Sequence, residues 1–248
     1  MKRLMISGCL GRMGRLIAQE AAAAGFETVC GIDPGAGGEA GFPVYPSFSG
    51  ELPAADVLID FSAPQTLPGL LAFATARGLP CVLGTTGYAE TDLAAVARAA
   101  ASIPVFRSAN LSRGVYVLRL LAAQAARMLP GFDIEIVEKH HNQKQDSPSG
   151  TALLLLDAVR APQSRPVFGR EGNKAKRAPE EIGVHAVRGG TVAGEHEVGF
   201  YGSNETLTLT HQAQGRGVFA AGALGAAAWL MGKAPGLYGM DDWLGAGQ

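Results

Sequence analysis

The first 20 residues contain an apolar segment, three spaced glycines and a helix-forming segment, in that order. They include Leu4-Met-Ile-Ser-Gly8-Cys-Leu-Gly11-Arg-Met-Gly14-Arg-Leu-Ile17. In a strand–turn–helix unit the first glycine permits a tight turn, the second lets the backbone approach a pyrophosphate, and the third lets helix and strand pack closely. The pattern predicts an α/β sheet that opens with a dinucleotide-binding loop, although an ordinary glycine-rich turn would share this spacing.

A second apolar segment ends in an acidic residue, as dinucleotide-binding sheets require. A strand is predicted at Thr28–Ile32, and Asp33 follows it. A carboxylate in that place can accept hydrogen bonds from the adenosine ribose hydroxyls. Because Pro34 offers no positive charge to a 2′-phosphate, the pair favours NADH, while Arg12 in the glycine loop leaves use of NADPH open.

Strand and helix patterns alternate through the first 110 residues, which predicts a parallel sheet with helices on both faces. Further strands are predicted at Val57–Phe61, Cys81–Leu83 and Pro104–Phe106, and helices at Pro64–Arg77 and Glu90–Ala101.

Ligands of such sheets bind beyond the carboxyl ends of the strands. The turns at those ends begin at Asp60, Gly84 and Ser108, and we expect them to line a cofactor cleft unless they are ordinary small-residue turns. The residues predicted to contact the cofactor are Gly8, Cys9, Leu10, Gly11, Arg12, Met13, Asp33, Gly84, Thr85, Thr86, Ser108, Ala109, Asn110 and Leu111.

The pattern changes after Leu111, which indicates a second domain. A long helix is predicted at Gly114–Met128, and residues 160–181 read as a polar surface connection without periodicity. Strands are predicted at Phe132–Glu138, Gly183–Arg188, Thr191–Phe200 and Glu205–Gln212, and a helix at Val218–Leu230 that returns to the first domain. The predicted architecture is an N-terminal Rossmann-type parallel sheet, residues 1–110 with 217–248, and an α+β domain with a mixed or antiparallel sheet, residues 111–216.

Residues 138–151 concentrate proton-transfer and anion-binding groups: Glu-Lys-His-His-Asn-Gln-Lys-Gln-Asp-Ser-Pro-Ser-Gly-Thr. His140, His141 and Lys144 are titratable donors, and Ser149, Gly150 and Thr151 begin a predicted helix. Backbone N–H groups at a helix start favour an anion. The segment therefore suggests an enzyme acting on a small acidic metabolite, with a solvated polar loop as the alternative.

Composition excludes several other classes. A net charge of −1 over 248 residues argues against general nucleic-acid or membrane-surface binding. No secretory signal and no apolar run of about 18 residues is evident, so a cytoplasmic protein is expected. The three cysteines, Cys9, Cys30 and Cys81, are predicted to be buried thiols and not a disulfide framework.

A metal site is not predicted, although five histidines fall in the second domain. Neighbouring side chains on a strand, such as those of His140 and His141, point to opposite faces and cannot easily share one ion. The other three histidines, His185, His196 and His211, are predicted to be strand-surface residues.

The residues together resemble the dihydrodipicolinate reductase family, which serves the diaminopimelate route to lysine. The glycine loop and the segment from Glu138 to Ala152 carry the resemblance. It extends to Gly84-Thr-Thr86, Val187–His196 and Ala221–Leu230. It implies reduction of 4-hydroxy-tetrahydrodipicolinate, a small cyclic dicarboxylate, to tetrahydrodipicolinate with loss of water, by hydride from NADH or NADPH.

The same resemblance implies the roles of the residues. Lys144 would be the proton donor and His140 its general acid/base partner, while His141, Ser149, Gly150 and Thr151 would bind the substrate. The second domain would bind the substrate and build a homotetramer.

Two other classes of function stay open from the residues alone. A nucleotide-sensing module would explain the glycine loop but gives no reason for His140 and Lys144 beside a helix start. A metal-dependent hydrolase would use the clustered histidines instead.

Overall fold

A computed structural model describes residues 1–37, 40–173 and 176–245. The chain divides into two compact units, one comprising Met1–Ser112 and the chain from Arg216 onward, the other Arg113–Gly215. These boundaries lie within two residues of the sequence-based domain limits, while the functional roles of the domains stay predictions. Residues 246–248 of the first predicted domain and residues 174–175 of the second lie outside the described residues.

The helices and strands follow the chain as three groups. The first is β1 (Lys2–Ser7), α1 (Arg12–Ala21), β2 (Phe26–Ile32), β3 (Val44–Tyr45), β4 (Val57–Asp60), α2 (Leu67–Arg77), β5 (Cys81–Leu83), α3 (Glu90–Ala100) and β6 (Pro104–Arg107). The second is α4 (Arg113–Met128), β7 (Asp133–His140), α5 (Gly150–Val159), β8 (Arg165–Phe168), β9 (Glu181–Arg188), β10 (Glu195–Tyr201) and β11 (Thr206–Gln212). The third is α6 (Gly217–Leu230), β12 (Gly236–Tyr238) and α7 (Met240–Leu244).

The first unit is built on a parallel sheet, as predicted. Its described strands run in the order β12-β6-β5-β4-β1-β2-β3, with every neighbouring pair parallel. Alternate residues of a strand face opposite sides. Val105 belongs to a core cluster with residues of α2 and α3, whereas the ring of Phe106 contacts Trp229 of α6 and Trp243 of α7. Helices therefore cover both faces, and burial of a large apolar side chain such as Phe106 stabilises the fold by about 1.5–3 kcal/mol.

The third glycine of the loop allows close packing of α1, which confirms the sequence prediction. A Cβ on Gly14 would lie 2.1 Å from the carbonyl oxygen of Gly8, a backbone atom that cannot move aside. Any other residue at position 14 would therefore push the first turn of α1 away from the end of β1.

The second unit carries a mixed sheet, in the order β11-β10-β7-β9-β8. The β7–β9 and β8–β9 pairs are parallel, and the β10–β7 and β10–β11 pairs are antiparallel. Helices α4 and α5 pack on one face around Ile136 and Val198, which are fully buried.

Two expectations for this unit were wrong. The segment 160–181 was predicted to lack regular structure, but it contains β8, whose four residues pair with β9. The segment Thr191–Phe200 was predicted as one strand, but the strand begins at Glu195 and is hydrogen-bonded on both sides, so it is not an edge.

The three cysteines are buried and unpaired, as predicted. Burial is the largest effect on the Cys9 thiol, and the charge of Asp33 adds to it, so that its pKa rises to about 11. A thiol with a raised pKa stays protonated and behaves as a small apolar side chain. Within the described residues, no helix combines the length and the apolar character needed to cross a membrane.

Candidate active site

In the first unit, the backbone of the glycine loop at the end of β1 lies close to the backbone that follows β4. Gly8 has φ +76°, and a Cβ there would lie 2.4 Å from the carbonyl oxygen of Phe61. The amide of Gly11 donates to the carbonyl of Gly8 at 3.1 Å, and Gly11 is the N-cap of α1 without a side-chain cap. The first turn of α1 thus presents amide groups that no side chain covers at the cap, a geometry that suits a phosphate.

Asp33 lies at the end of β2 and holds the glycine loop. One carboxylate oxygen accepts from the amide of Leu10 at 3.1 Å, and the other accepts from the amide of Gly35 at 3.0 Å. Each oxygen of an ionised carboxylate can accept a further hydrogen bond. The residue is therefore fixed beside the loop with capacity left for the hydroxyls of a ligand.

A second carboxylate, Asp60, organises the turns after β4 and β5. It is 1% exposed, and it accepts from the hydroxyls of Ser62 and Thr85 at 2.6 Å each and of Tyr88 at 3.3 Å. Burial, and after it the charge of Asp60, raises the pKa of Tyr88. The hydroxyl of Thr85 therefore points into the protein, and its backbone is what the turn can offer to a cofactor.

The turn after β6 is also fixed by local hydrogen bonds. The hydroxyl of Ser108 donates to the carbonyl of Asn110 at 2.6 Å, and the amide of Ser112 donates to the Asn110 side chain at 2.9 Å. Together with the glycine loop and Asp33, this turn belongs to the same unit. The assignment of all fourteen residues to a cofactor stays a prediction.

In the second unit, the predicted catalytic segment begins on β7 and ends at α5. His140 is the last residue of β7 and Ser149 is the N-cap of α5. The amide of Asn142 donates to the carbonyl of Gly190, and the amide of Gly189 donates to the carbonyl of His140, so the segment is tied to the end of β9. Two strand ends and one helix start therefore carry the candidate site.

Glu138 is the most buried charged group of this region, with 0% exposure. Its carboxylate accepts from Arg188 at 2.7 and 2.8 Å, from Nδ1 of His140 at 2.5 Å and from the amide of Ser149 at 3.0 Å. Burial alone would raise the pKa of Glu138, but the hydrogen bonds from Arg188, His140 and Ser149 outweigh it and lower the pKa. The group is therefore an ionised acceptor at neutral pH.

His140 and His196 meet edge to face, with ring centroids 5.1 Å apart. Burial lowers the pKa of His140, although Glu138 opposes this shift. Nε2 of His196 lies 3.0 Å from the hydroxyl oxygen of Ser149, which also accepts from the amide of Ala152 at 3.2 Å. Burial, and then the neighbouring His140, lowers the pKa of His196 to about 4. His196 is therefore neutral at physiological pH.

Lys144 is held by the segment that carries it. Its ammonium lies 2.7 and 2.9 Å from the two carboxylate oxygens of Asp146, and 19% of its side chain is exposed. Arg188 reaches the same segment, because it donates to the carbonyl of Asp146 at 2.7 Å. The hydrogen bond from Lys144 is the main reason that the pKa of Asp146 is lowered. A protonated donor is thus kept at a partly exposed place.

The start of α5 divides into a buried and an accessible part. Ser149 is 2% exposed, and both its amide and its hydroxyl are engaged within the protein. Gly150 is exposed, while Thr151 and His141 are half-buried. The substrate contacts predicted for these four residues stay predictions.

The structure adds three residues that the sequence analysis missed. Glu138 was noted only as part of the segment, Arg188 only as a strand end, and His196 was predicted to lie on the strand surface. The last expectation was wrong, because His196 is 4% exposed and faces Ser149. The alternation of β10 could have signalled this, since His196 has the parity of the buried Val198 and Phe200.

Comparison with known families matches almost the whole chain. A family model described as Dihydrodipicolinate reductase, N-terminus, matches residues 2–111, and one described as Dihydrodipicolinate reductase, C-terminus, matches residues 114–244.

Individual relatives agree with these models. A 4-hydroxy-tetrahydrodipicolinate reductase of Caldanaerobacter subterraneus is 50% identical over 246 residues, which cover 98% of both chains. One of Clostridium tetani is 43% identical and covers 98% of this chain and 97% of its own. A dipicolinate-bound dihydrodipicolinate reductase from Paenisporosarcina superposes with a TM-score of 0.75 at 23% identity, covering 98% of this chain and 99% of that one, and supports the fold.

The buried His196 should make the protein less stable in mild acid. Because its pKa is about 4 in the folded state and about 6.5 when exposed, the unfolded chain binds a proton between these values that the folded protein does not. Stability is therefore lost as pH falls through this window, by up to about 3 kcal/mol at pH 4 from this residue. The charged or titratable neighbours are His140, Glu138, His211 and Lys144.

The variant His196→Gln should show a shallower fall of unfolding free energy between pH 6.5 and 4, measured by chemical denaturation at each pH. The slopes are compared, because the substitution also changes packing at every pH. A slope equal to that of the unsubstituted protein would contradict the assignment.

Proposed function

Because this chain belongs to the dihydrodipicolinate reductase family, we propose that it reduces 4-hydroxy-tetrahydrodipicolinate to tetrahydrodipicolinate with loss of water, in lysine biosynthesis by the diaminopimelate route. The observation that carries the proposal is the convergence of His140 and the start of α5 on one buried carboxylate, with Lys144 close enough to His140 to affect its pKa, in a chain that matches the family over residues 2–111 and 114–244. Neither a nucleotide sensor nor a metal-dependent hydrolase needs this arrangement.

The first unit fits a pyridine nucleotide. The close approach at Gly8 leaves room for backbone only, and Asp33 lies beside the loop with acceptor capacity for ribose hydroxyls. When bound, the reduced nicotinamide supplies a hydride. The loop from Gly8 to Met13 would hold the pyrophosphate, and the turns at Gly84–Thr86 and Ser108–Leu111 would line the site.

The chain's own residues supply the protons of the reaction. Loss of water needs a proton on the departing hydroxyl group and releases one from the neighbouring ring carbon. A ring that accepts a hydride must also take up a proton, so the whole reaction consumes one proton. Lys144 is suited to donate because an ammonium is protonated at neutral pH and here stays partly exposed. His140, with Nδ1 bonded to Glu138, can exchange a proton at Nε2.

The accessible start of α5 suits the carboxylates of the substrate. Gly150 and Thr151 occupy the first turn, where backbone amides and the helix dipole favour an anion. His141 directly follows the last residue of β7 and would add a polar contact. Ser149 would contribute by capping the helix, since its polar groups are engaged with Glu138, Ala152 and His196.

NADH is the proposed preferred cofactor. The carboxylate of Asp33 would face the 2′-phosphate of NADPH, and like charges about 4 Å apart repel by about 4 kcal/mol per unit pair at an effective dielectric near 20. Arg12, the exposed first residue of α1, could offset part of this repulsion. NADPH is therefore expected to support measurable activity, with a lower kcat/KM than NADH.

Lys144→Ala and His140→Ala should each lower kcat by about 10²–10⁴, the usual contribution of a positioned proton-transfer group. NADH affinity, followed by nicotinamide fluorescence, should change little. The matched control is Lys139→Ala, whose ammonium pairs with Glu195 instead. The assay offers the condensation product of pyruvate and aspartate semialdehyde with NADH and follows oxidation; normal turnover in both test variants would refute these roles.

Replacing Asp33 by Ser and Pro34 by Arg should move the ratio of kcat/KM toward NADPH by about tenfold or more, equal to about 1.4 kcal/mol. The unsubstituted protein should use NADH at least as well as NADPH. The exposed Glu27, near the other end of β2, provides the control Glu27→Ser. If the ratio does not change, Asp33 does not contact the ribose.

A homotetramer built through the second unit is the proposed assembly. Strand β11 is an edge of the mixed sheet, and Leu207 and Tyr201 remain 41% and 39% exposed on β11 and β10. An open edge with apolar side chains invites pairing with another copy. Light scattering should return about 100 kDa, four chains of 25.6 kDa; a mass near that of one chain at micromolar concentration would contradict the proposal.

A further inference from the structure

We propose that Glu138 is a positioning residue, which fixes the protonation geometry of His140 and the start of α5 through one buried carboxylate. The inference rests on the proposed reductase function for its kinetic part. Glu138 would not touch substrate itself, because it is fully buried.

The acceptor capacity of Glu138 is used completely by described residues. One oxygen accepts from the amide of Ser149 and from Arg188, and the other accepts from Nδ1 of His140 and from Arg188. An ionised carboxylate offers about four acceptor positions. A buried carboxylate whose acceptor positions are all occupied cannot rotate without leaving a donor unpaired. The carboxylate therefore has a fixed orientation.

This geometry selects one tautomer of His140. A carboxylate only accepts hydrogen bonds, so Nδ1 of His140 must carry the proton. In the neutral ring the lone pair then lies on Nε2. A Cβ on Gly194 would approach Nε2 to 3.1 Å, so any other residue at position 194 would crowd this edge of the ring. Nε2 is therefore the atom that exchanges a proton.

The same carboxylate fixes the distance between His140 and the helix start. The amide of Ser149 donates to Glu138, and Ser149 in turn caps α5 through its hydroxyl. Arg188 extends the connection to the carbonyl of Asp146, whose side chain holds Lys144. A shift of Glu138 would thus move the general acid/base, the anion-binding turn and the proton donor together.

The chain offers a matched control on the same strand. Glu135 likewise accepts from a histidine, His185 at 2.7 Å, and from arginines, here two, Arg170 at 3.1 Å and Arg177 at 3.2 Å. Its side chain is 18% exposed, and its parity on β7 places it on the opposite face from Glu138. Removing the charge of Glu135 shows how much a carboxylate with histidine and arginine partners contributes to the fold, without changing the partners of His140.

The decisive variant is Glu138→Gln, compared with Glu135→Gln. A glutamine amide replaces one acceptor oxygen by a donor. If the NH₂ group of the glutamine faces Nδ1 of His140, it forces the other tautomer of that ring. If it faces Arg188 and the amide of Ser149, the hydrogen bonds from these two donors are lost. Glu138→Gln should lower kcat about 10²-fold, with NADH affinity unchanged. Glu135→Gln should leave kcat unchanged.

The double variant His140→Ala/Glu138→Gln separates a positioning role from a general loss of structure. If Glu138 acts mainly through His140, its substitution should cost far less in the His140→Ala background than alone. Equal costs in both backgrounds would overturn the inference.

The pH dependence of kcat/KM distinguishes the two roles, because a purely structural role of Glu138 would leave the pKa of His140 unchanged. The charged or titratable groups around His140 are Glu138 on β7, Arg188 on β9, His196 on β10 and Lys144 in the next segment. Glu138 raises the pKa of His140 against the effect of burial, so removing its charge should lower that pKa further. The limb of the kcat/KM profile that belongs to His140 should move to lower pH in Glu138→Gln and stay in Glu135→Gln.

Nitrogen NMR of the histidine-labelled, unsubstituted protein tests the geometry without any assay. With only five histidines in the chain, the ring signals of His140 can be assigned by substitution. Above the pKa of His140 the Nδ1–H tautomer is expected, and the Nε2–H tautomer would overturn the inference even if Glu138→Gln failed to fold.

The outcomes distinguish the two proposals. If the Nδ1–H tautomer is found but the unsubstituted protein reduces no substrate, the proposed function fails and the positioning geometry stands. If the protein is active and Glu138→Gln keeps its kcat and pH profile, the positioning role fails alone.

Discussion

The buried carboxylate of Glu138 is the interaction on which the candidate site depends. Moving an ion out of water costs several kcal/mol even after relaxation. Here the cost is offset by the two-point contact with Arg188 and by donors from His140 and Ser149, all within 3.0 Å. Because the charge is stable only when each donor is in place, the ends of β7 and β9 and the start of α5 are constrained together.

The first unit uses carboxylates in a related way, at the ends of parallel strands. Asp33 accepts from the amide of Leu10 in the glycine loop and from the amide of Gly35 in the turn after β2, and Asp60 accepts from three hydroxyl groups of the neighbouring turns. Loops without regular structure leave polar groups that must find partners. A carboxylate at a strand end satisfies several of them at once, so the turns predicted to meet the cofactor have defined positions.

The histidine pair adds a further constraint to the second unit. His196 packs edge to face on His140 and contacts the hydroxyl of Ser149, so the cap of α5 and the ring of His140 share one neighbour. Burial keeps His196 neutral, and a neutral ring adds no positive charge beside His140 and Lys144. The contact therefore orients its neighbours without competing for protons in the neutral range.

Local sequence determined much of this protein. The spaced glycines, the alternation of apolar segments and the residues from His140 to Thr151 predicted the parallel sheet, the mixed second sheet and the cluster of donors, because turns, strand periodicity and helix starts depend on neighbours in the chain. Strand β8, by contrast, has the four residues Arg-Pro-Val-Phe, too few to show a strand period, and it becomes a strand by pairing with β9. The interior place of β10 in the sheet likewise depends on strand order, which residues far apart in the chain decide. The convergence of Arg188, 50 positions away, on Glu138 was visible only in the tertiary structure, since a buried charge is stable only where the fold brings its partner to it.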